Sequence, residues 1–333
     1  MRTCFLKLAA LISIVLFIFS GSAMASGELR IALVVKNLGN GFFEAARDGA
    51  IEASKELGVE IIYTGPTQPT AEGQIEIINS LIAQKVDAIA ISANDPTALI
   101  PITKKAMRRG IKVISWDSGI APGGRLVDLI PADVAGIGKI QIKMISDTIG
   151  NQGDIAILSA TAQATNQNLW IAAMKKELQN PEYKNLNLIS VVYGDDKSDK
   201  SYREALGLFK SYPNLKGIIA PTTVGILASA KAVKDHNLKG KVYVTGLGLP
   251  SEMNAYVMDG IVDTFAIWNP IDLGYSAAYI CHGLIKGSVK GETGEEIPAG
   301  RMGKIKVGKD SVAVMGLPFV YDKTNVEKFS KIF

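Results

Sequence analysis

One segment near the N-terminus constrains the fold most, because it combines a buried strand, a glycine-rich turn and the start of a helix. Residues 31–35 are five consecutive apolar residues and predict a strand that is covered on both faces. Residues 36–41, KNLGNG, predict the turn, and residues 42–57 predict a helix that ends at Gly58. In an open α/β sheet such a turn lies at the carboxyl end of the strands, where ligands bind. The turn carries a lysine and two asparagines and leads into two phenylalanines, so it predicts a site for a small polar ligand.

The rest of the chain repeats this alternation of strand and helix. Further strands of the first half are predicted at residues 60–64, 88–91, 112–116 and 126–130. Strands of the second half are predicted at residues 154–158, 186–193, 217–220, 242–246 and 264–267, and a last one at 304–307 precedes an irregular tail. Strands that alternate with helices predict parallel, doubly wound sheets. Two successive halves of similar size therefore predict an α/β protein of two similar lobes, although the chain is also long enough for a single (β/α)8 barrel.

The N-terminus has the pattern of a secretory signal peptide. Two basic residues flank its start, residues 8–19 are apolar, and residues 23–25, AMA, fit a cleavage site between small residues. The apolar core of 12 residues is shorter than the roughly 20 that cross a bilayer as a helix, and a membrane anchor is the alternative interpretation. Cleavage after residue 25 removes Cys4 and leaves only Cys281, so no intrachain disulfide is expected. The sequence therefore predicts a soluble, exported protein.

Composition and motifs argue against nucleic-acid binding and catalysis. The 36 Lys and Arg residues against 32 Asp and Glu residues give a net charge of only +4, and the basic residues are scattered, so no nucleic-acid partner is expected. His282 follows Cys281 in a predicted helix, where adjacent side chains point about 100° apart and do not face each other as a nucleophile and base. The acidic run 195–199 contains a lysine and lacks the glycine of a calcium loop, which predicts a solvated loop. We therefore expect no catalytic residues, no metal and no cofactor.

Polar and aromatic side chains follow the predicted strands, at the edge where a ligand binds. A monosaccharide presents hydroxyl groups and an apolar face of C–H groups, so its receptor combines carboxylate, amide and ammonium groups with aromatic rings. The candidate ligand-binding residues are Lys36, Asn40, Phe42, Phe43, Asn94, Asp117, Asn166, Gln167, Pro221, Thr223, Trp268 and Asn269. Asp117 is the leading candidate, because a carboxylate at the end of a buried strand is costly without a partner, and Lys36 can supply the opposite charge.

Several of these residues have a structural alternative. Phe43 fits the core as well as the site, and Trp170, in the helix after the strand at 154–158, is interpreted as a core residue. Asn94 fits a turn that caps a helix, and Asn166 fits a helix cap. The sequence alone leaves these alternatives open.

The motifs resemble those of a known family. The segments KNLGNGFF, YTGPTQPTAEGQIEIINSLI, ISANDP, MRRGIKVISWDS and SYPNLKGIIAPTT are similar to those of type I periplasmic sugar-binding proteins of ABC importers, the ribose-binding class. Within this class they are most similar to the rhamnose-binding and autoinducer-2-binding proteins. The resemblance implies a periplasmic, monomeric receptor that is not an enzyme. Its implied partners are a small ligand and the transmembrane subunits of an ABC permease.

The resemblance also implies how the chain is divided. Two lobes close on the ligand, and three crossing segments join them near residues 131–133, 265–267 and 302–310. After a signal peptide of residues 1–25, the N-terminal lobe is expected to comprise residues 26–131 plus 268–301. The C-terminal lobe is expected to comprise residues 132–267 plus 302–333.

The resemblance bears on the ligand as well. Autoinducer-2 receptors use a lysine, a strand-end aspartate, an Asp-Gln pair and a Pro-x-Ala segment. This chain matches them at Lys36, Asp117, Gln167 and Pro221. Asn166 and Thr223 stand where those receptors have aspartate and alanine. The motifs TNQN, APTTVG and FAIWNPIDLGYSA are similar to the rhamnose-binding type, so L-rhamnose is the first expectation and autoinducer-2 the alternative. Repressors of the lactose type share the fold, but an export leader argues against that function.

Overall fold

The computed structural model describes residues 28–333, so the predicted signal peptide lies outside the described residues. The first elements are β1 (Leu29–Val34), α1 (Gly41–Leu57), β2 (Val59–Thr64), α2 (Ala71–Ala83), β3 (Ala88–Ile91), α3 (Ile100–Arg108), β4 (Lys112–Trp116) and β5 (Val127–Ile130). They are followed by α4 (Val134–Ile149), β6 (Gly153–Ser159), α5 (Thr165–Glu177), β7 (Leu186–Tyr193), α6 (Ser198–Ser211), β8 (Leu215–Ala220), α7 (Thr223–Asp235), β9 (Tyr243–Gly246), α8 (Pro250–Met258) and β10 (Thr264–Ile267). The last elements are α9 (Pro270–Lys286), β11 (Glu296–Pro298), β12 (Lys304–Lys306), β13 (Val312–Val314), β14 (Phe319–Asp322) and α10 (Val326–Phe329). No helix within residues 28–333 has the length and hydropathy needed to span a membrane.

The first sheet has six parallel strands in the order β13-β5-β4-β3-β1-β2. Successive side chains of β1 point to opposite faces of this sheet. Ile31 and Leu33 pack in a cluster with residues of α1 and α9, whereas Ala32 and Val34 pack in another cluster with residues of α2 and α3. Because helices cover both faces, the strand is apolar throughout, as the sequence predicts.

Helices α1 and α9 approach each other so closely that no side chain fits between them at two points. A Cβ atom on Gly49 of α1 would lie 1.8 Å from the carbonyl oxygen of Ile271, and a Cβ atom on Gly274 of α9 would lie 1.8 Å from the carbonyl oxygen of Ala46. Both contacts are possible only because the two residues are glycines. This pair of contacts fixes α9 to the first lobe, although α9 directly follows β9, α8 and β10 of the second lobe in the chain.

The second sheet has four parallel strands in the order β7-β6-β8-β9. Ile155 and Ile157 of β6 cluster with residues of α4 and α5, while Ala156 and Leu158 cluster with residues of α6 and α7. Two separate sheets with helices on both faces confirm the predicted fold of two doubly wound lobes. A single barrel is excluded.

The chain passes between the lobes three times. The first crossing, at residues 131–133, joins β5 of the first sheet to α4 of the second lobe. The second crossing lies at residues 268–269 and joins β10 to α9. β10 belongs to the second lobe, because Ala266 forms a β-bridge with Leu247, the residue after β9. The third lies at residues 315–318, because β13 pairs with β5 and β14 pairs with β10.

The position of the third crossing corrects the prediction. The family resemblance implies a crossing near residues 302–310 and a C-terminal lobe that includes residues 302–333, whereas β13 is an edge strand of the first sheet. β13 has only three residues, too few to show a periodic pattern, so the sequence pattern predicts an irregular tail after residue 307. We propose lobe boundaries of residues 28–130 plus 270–314 for the first lobe and 134–267 plus 319–333 for the second.

Candidate functional site

A cavity of about 40 Å³ lies between the lobes, beyond the carboxyl ends of both sheets. Its lining residues are Lys36, Asn40, Phe42, Phe43, Asp117, Asn166, Gln167, Trp170, Asp196, Pro221, Thr222, Thr223, Leu247, Ile267 and Trp268. Every candidate residue except Asn94 and Asn269 therefore lies at this cavity. They come together because the strand ends of two sheets meet at one cleft.

Asp117 lies in a tight turn at the end of β4. Its φ of 60° is in the left-handed region, and the N–H of Ser118 donates to the carbonyl oxygen of Trp116 at 2.6 Å. Aspartate and asparagine tolerate this conformation better than most residues, and such strained positions are common at binding sites. The turn directs the carboxylate into the cleft, where Oδ2 accepts a hydrogen bond from Ser92 Oγ at 2.7 Å.

Three side chains form a polar bridge from one lobe to the other. Lys36 Nζ donates to Asn166 Oδ1 at 2.9 Å, and Asn166 Nδ2 donates to Asp117 Oδ1 at 3.2 Å. Lys36 Nζ also lies 3.6 Å from Asp117 Oδ2. All three side chains are buried. Because buried charges are costly when unpaired, the lysine and the aspartate depend on each other and on the asparagine between them.

Gln167 is held by the end of β6. Its Oε1 atom accepts hydrogen bonds from Ser159 Oγ at 2.6 Å and from the N–H of Ala160 at 2.7 Å. These two donors fix the orientation of the amide, since only the oxygen can accept from them. The amide nitrogen is therefore the group that Gln167 can offer to a ligand in the cavity.

Aromatic rings form a continuous wall that passes from the first lobe to the second. Trp116 packs edge-to-face on Phe43, with ring centroids 5.8 Å apart, and Phe43 packs in the same way on Phe42 at 5.3 Å. Phe42 contacts Trp268 at 6.1 Å, and Trp268 contacts Trp170 at 5.6 Å. These geometries are the favourable ones for aromatic pairs. Phe43 and Trp170, for which the sequence allows a core position, are buried and also line the cavity.

Asn94 and Asn269, the two candidates outside the cavity, form hydrogen bonds with the backbone of segments next to it. Asn94 Nδ2 donates to the carbonyl oxygens of Lys36 at 2.9 Å and Thr70 at 3.2 Å, which braces the turn that carries Lys36. Asn269 caps α9, with Oδ1 accepting from the N–H of Ile271 at 3.0 Å. Both side-chain amides follow a strand but form hydrogen bonds with backbone groups and do not line the cavity. Residue type alone does not reveal this difference.

The cavity also contains residues that the sequence analysis did not select. They are Trp170, Asp196, Thr222, Leu247 and Ile267. Asp196 belongs to the acidic run that predicts a solvated loop, and that prediction is correct for Asp195 and Asp199, which form exposed or half-exposed pairs with Lys200 and Arg203. Asp196 itself is half-buried and accepts a hydrogen bond from Thr222 Oγ1. Its position just after β7 is the signal that could have identified it.

The candidate catalytic and metal-binding groups do not assemble. Within residues 28–333, no group of His, Cys, Asp and Glu side chains has the arrangement of a metal site. Cys281 is completely buried in α9, and burial raises the pKa of its thiol well above the usual range. A thiol of this kind is not ionised at neutral pH and is unreactive.

A carboxylate of the second lobe lies against the start of α1 in the first lobe. Glu252 lies in the first turn of α8, and its Oε1 atom is 2.9 Å from where a Cβ on Gly41 would lie, at the start of α1. Burial raises the pKa of Glu252. A carboxyl group with a higher pKa in the folded chain binds more protons there than in the unfolded chain. Its contribution to the free energy of unfolding therefore falls as the pH rises from the usual carboxyl range through the raised pKa.

Replacing Glu252 by glutamine is expected to increase the free energy of unfolding at about pH 7 and to leave it unchanged at about pH 3.5, where the protonated acid and the amide are nearly isosteric. Urea unfolding at the two pH values measures this difference. The matched control is Glu72→Gln, which removes an exposed carboxylate from the first turn of α2 and should give no increase at pH 7. A loss of stability at pH 7 for Glu252→Gln would contradict the expectation and show that the start of α1 stabilises the charged form.

Two lobes that enclose a polar and aromatic cavity at the ends of their sheets have the architecture of a ligand-binding protein. Residues 31–288 match the family profile described as "Periplasmic binding protein domain". The chain therefore belongs to the periplasmic binding protein family, a family of solute-binding proteins. The family predicted from the sequence motifs is confirmed.

Individual relatives point to sugars. The chain is similar to the D-ribose/D-allose-binding protein of Pseudomonas aeruginosa, with 27% identity over 245 residues that cover 70% of this chain and 75% of the relative. An ABC transporter solute-binding protein of Clostridium phytofermentas, solved with bound L-rhamnose, has 38% identity and a TM-score of 0.89, covering 92% of this chain and 99% of the other. LsrB from Clostridium saccharobutylicum, in complex with AI-2, has 22% identity and a TM-score of 0.85, covering 90% of this chain and 99% of the other. The similarity to LsrB is evidence for the fold alone.

Proposed function

We propose that this protein is the periplasmic solute-binding component of an ABC importer, and that it captures a monosaccharide, L-rhamnose, between its lobes. The observation that carries the proposal is the polar bridge of Lys36, Asn166 and Asp117, which connects the two lobes inside the cavity. In this proposal residues 1–25 are a signal peptide that is removed on export. The receptor is a monomer and catalyses no reaction, and it delivers the sugar to the transmembrane subunits of the permease.

The bridge supports a hinge mechanism. A cavity of about 40 Å³ has room for only about three water molecules. A sugar enters when the lobes rotate apart about the three crossings, which separates Asn166 from Lys36 and Asp117. Ligand hydroxyls then take the place of Asn166 as partners of these charges. Contacts of the ligand with both lobes stabilise the closed form.

The composition of the cavity favours a deoxy sugar. Asp117 accepts hydrogen bonds, Lys36 and the amide nitrogen of Gln167 donate them, and the rings of Phe42 and Trp268 suit a face of C–H groups. Leu247 and Ile267 add apolar side chains to the lining of the cavity, and these suit the methyl group of a 6-deoxy sugar such as L-rhamnose. The relative that was solved with L-rhamnose supports the same choice, because it is 38% identical over nearly its whole length.

Autoinducer-2 is the second candidate ligand. Lys36, Asp117, Gln167 and Pro221, which match autoinducer-2 receptors, all line the cavity. Asn166 removes the carboxylate and Thr223 fills the space that those receptors reserve for alanine, so L-rhamnose is preferred.

Titration calorimetry of refolded, ligand-stripped protein tests the proposal with L-rhamnose, D-ribose, xylulose and autoinducer-2. L-rhamnose is expected to bind most tightly and to change the tryptophan fluorescence, because the aromatic wall contains all three tryptophans of the chain. Binding of autoinducer-2 with no response to any sugar would contradict the rhamnose proposal. Conversion of any of these compounds into a product would contradict a binding-only function.

A further inference from the structure

The second lobe presents one charged side chain to the cavity among its described lining residues, and this is Asp196. We infer that Asp196 contacts the ligand and supplies, opposite Asp117, a second carboxylate that selects for a hydroxyl group on the far side of the sugar. The inference rests on the proposed function and extends it. The other polar groups of the second lobe at the cavity, Asn166, Gln167, Thr222 and Thr223, are neutral.

The loop that carries Asp196 is anchored to the same strand end as Gln167. The N–H of Gly194 donates to the carbonyl oxygen of Ser159 at 2.9 Å, and the N–H of Asp195 donates to that of Ala160 at 3.1 Å. The amide oxygen of Gln167 is bonded to these same two residues. Asp196 and Gln167 are thus fixed relative to each other, which is what a pair of groups that recognise adjacent hydroxyls requires.

The backbone separates the two neighbouring carboxylates. Asp195 and Asp196 have φ angles of 55° and 51°, two consecutive left-handed residues that are not glycine. Asp195 points outward and pairs with Lys200 at 2.6 Å, while Asp196 lines the cavity. This backbone conformation is costly for most residues, and it has the effect of turning one carboxylate of the run into the cleft.

Asp196 has acceptor capacity left for a ligand. Its Oδ1 atom accepts from Thr222 Oγ1, and a carboxylate can accept about four hydrogen bonds. Burial raises the pKa of Asp196, and Asp117 and Asp195 raise it further, whereas Lys36 and the Thr222 hydroxyl oppose the shift. A ligand hydroxyl that donates to Asp196 compensates for the lost hydration. A ligand without that hydroxyl would cover the half-buried carboxylate and leave it without enough hydrogen-bond donors, which is the basis of strong discrimination.

The test compares Asp196→Asn with Asp195→Asn by calorimetry with L-rhamnose. Both substitutions keep a residue that tolerates the left-handed conformation, and the two positions are adjacent, so the pair isolates the direction of the side chain. Asp196→Asn is expected to weaken binding roughly tenfold or more, the loss of one charge-assisted hydrogen bond, and Asp195→Asn to stay within about twofold of the wild type. Equal affinities for the two variants would overturn the inference and leave the proposed function intact. Failure of the wild type to bind L-rhamnose would overturn the proposed function and the inference together.

A second measurement separates ligand contact from a structural role in the loop. A series of monodeoxy analogues of L-rhamnose is titrated into the wild type and Asp196→Asn. We expect one analogue that the wild type binds at least tenfold more weakly than L-rhamnose, and that Asp196→Asn binds as well as it binds L-rhamnose, because the analogue lacks the donor and the variant lacks the charged acceptor of the same hydrogen bond. A variant that binds every compound more weakly by the same factor would show that Asp196 only supports the fold, and would refute the inference.

Discussion

Replacing Asp117 by asparagine is expected to weaken monosaccharide binding by roughly 10- to 100-fold for each hydrogen bond that the carboxylate accepts from the sugar. The substitution removes the charge that balances Lys36, whose Nζ atom lies 3.6 Å away in the closed cleft. Asparagine is chosen over alanine because the φ of 60° at this position adds backbone strain for most residues, which would mix a folding defect with the binding defect. Calorimetry gives the affinity, and thermal unfolding shows whether the fold is kept.

Asp95→Asn is the matched control for this experiment. Asp95 follows β3 as Asp117 follows β4, but its carboxylate caps the turn at Thr97 and Ala98 and does not line the cavity. The Asp95→Asn variant should bind the sugar with the same affinity as the wild type. Unaltered affinity in Asp117→Asn would mean that the ligand binds elsewhere, whatever its identity.

Replacing Gly274 by alanine is expected to lower the free energy of unfolding by about 3 kcal/mol or more, at the upper end of the range for overpacked cores. The new methyl group would lie 1.8 Å from the carbonyl oxygen of Ala46, and neither partner is a flexible side chain that can move aside. Helices α1 and α9 would have to separate along their whole contact. Urea unfolding followed by circular dichroism measures the loss.

Gly207→Ala provides a control of opposite sign. Gly207 is an exposed residue inside α6, and a Cβ atom there has no neighbour within 4 Å. Alanine favours the helix over glycine by about 1 kcal/mol, so this variant should be slightly more stable than the wild type. If Gly274→Ala were as stable as the wild type, the close contact of the two helices would be contradicted.

Sequence patterns predict the regular part of the fold well, for a physical reason. Strands β3, β4, β7 and β10 have the predicted bounds, because each is a mainly apolar run rich in β-branched or aromatic residues. Strands β13 and β14 were missed, since three or four residues carry no period and their partners lie far away in the chain. Their existence is decided by tertiary pairing, which no local pattern records.

The lining of the cavity was predictable to a similar degree. The rule that ligands bind beyond strand ends found Lys36 and Asp117 without any structural information, because parallel sheets bring those ends together. It could not tell that Asn94 and Asn269 serve the backbone, since an amide can satisfy a turn or a ligand equally well. It also missed Asp196, because the charges around it resemble those of a solvated loop and only the left-handed backbone turns this one inward.

The close contact of α1 with α9 has a consequence for how the protein is made. The partner of the first helix is synthesised more than two hundred residues later, and the edge strand β13 later still. Until then the face of α1 that carries Ala46, Ala50 and Ala53 can pack only against the first strands of the sheet, and its contact with α9 is missing. The first lobe therefore cannot be completed until residues 270–314 have been synthesised, so its folding depends on contacts between segments that are far apart in the chain.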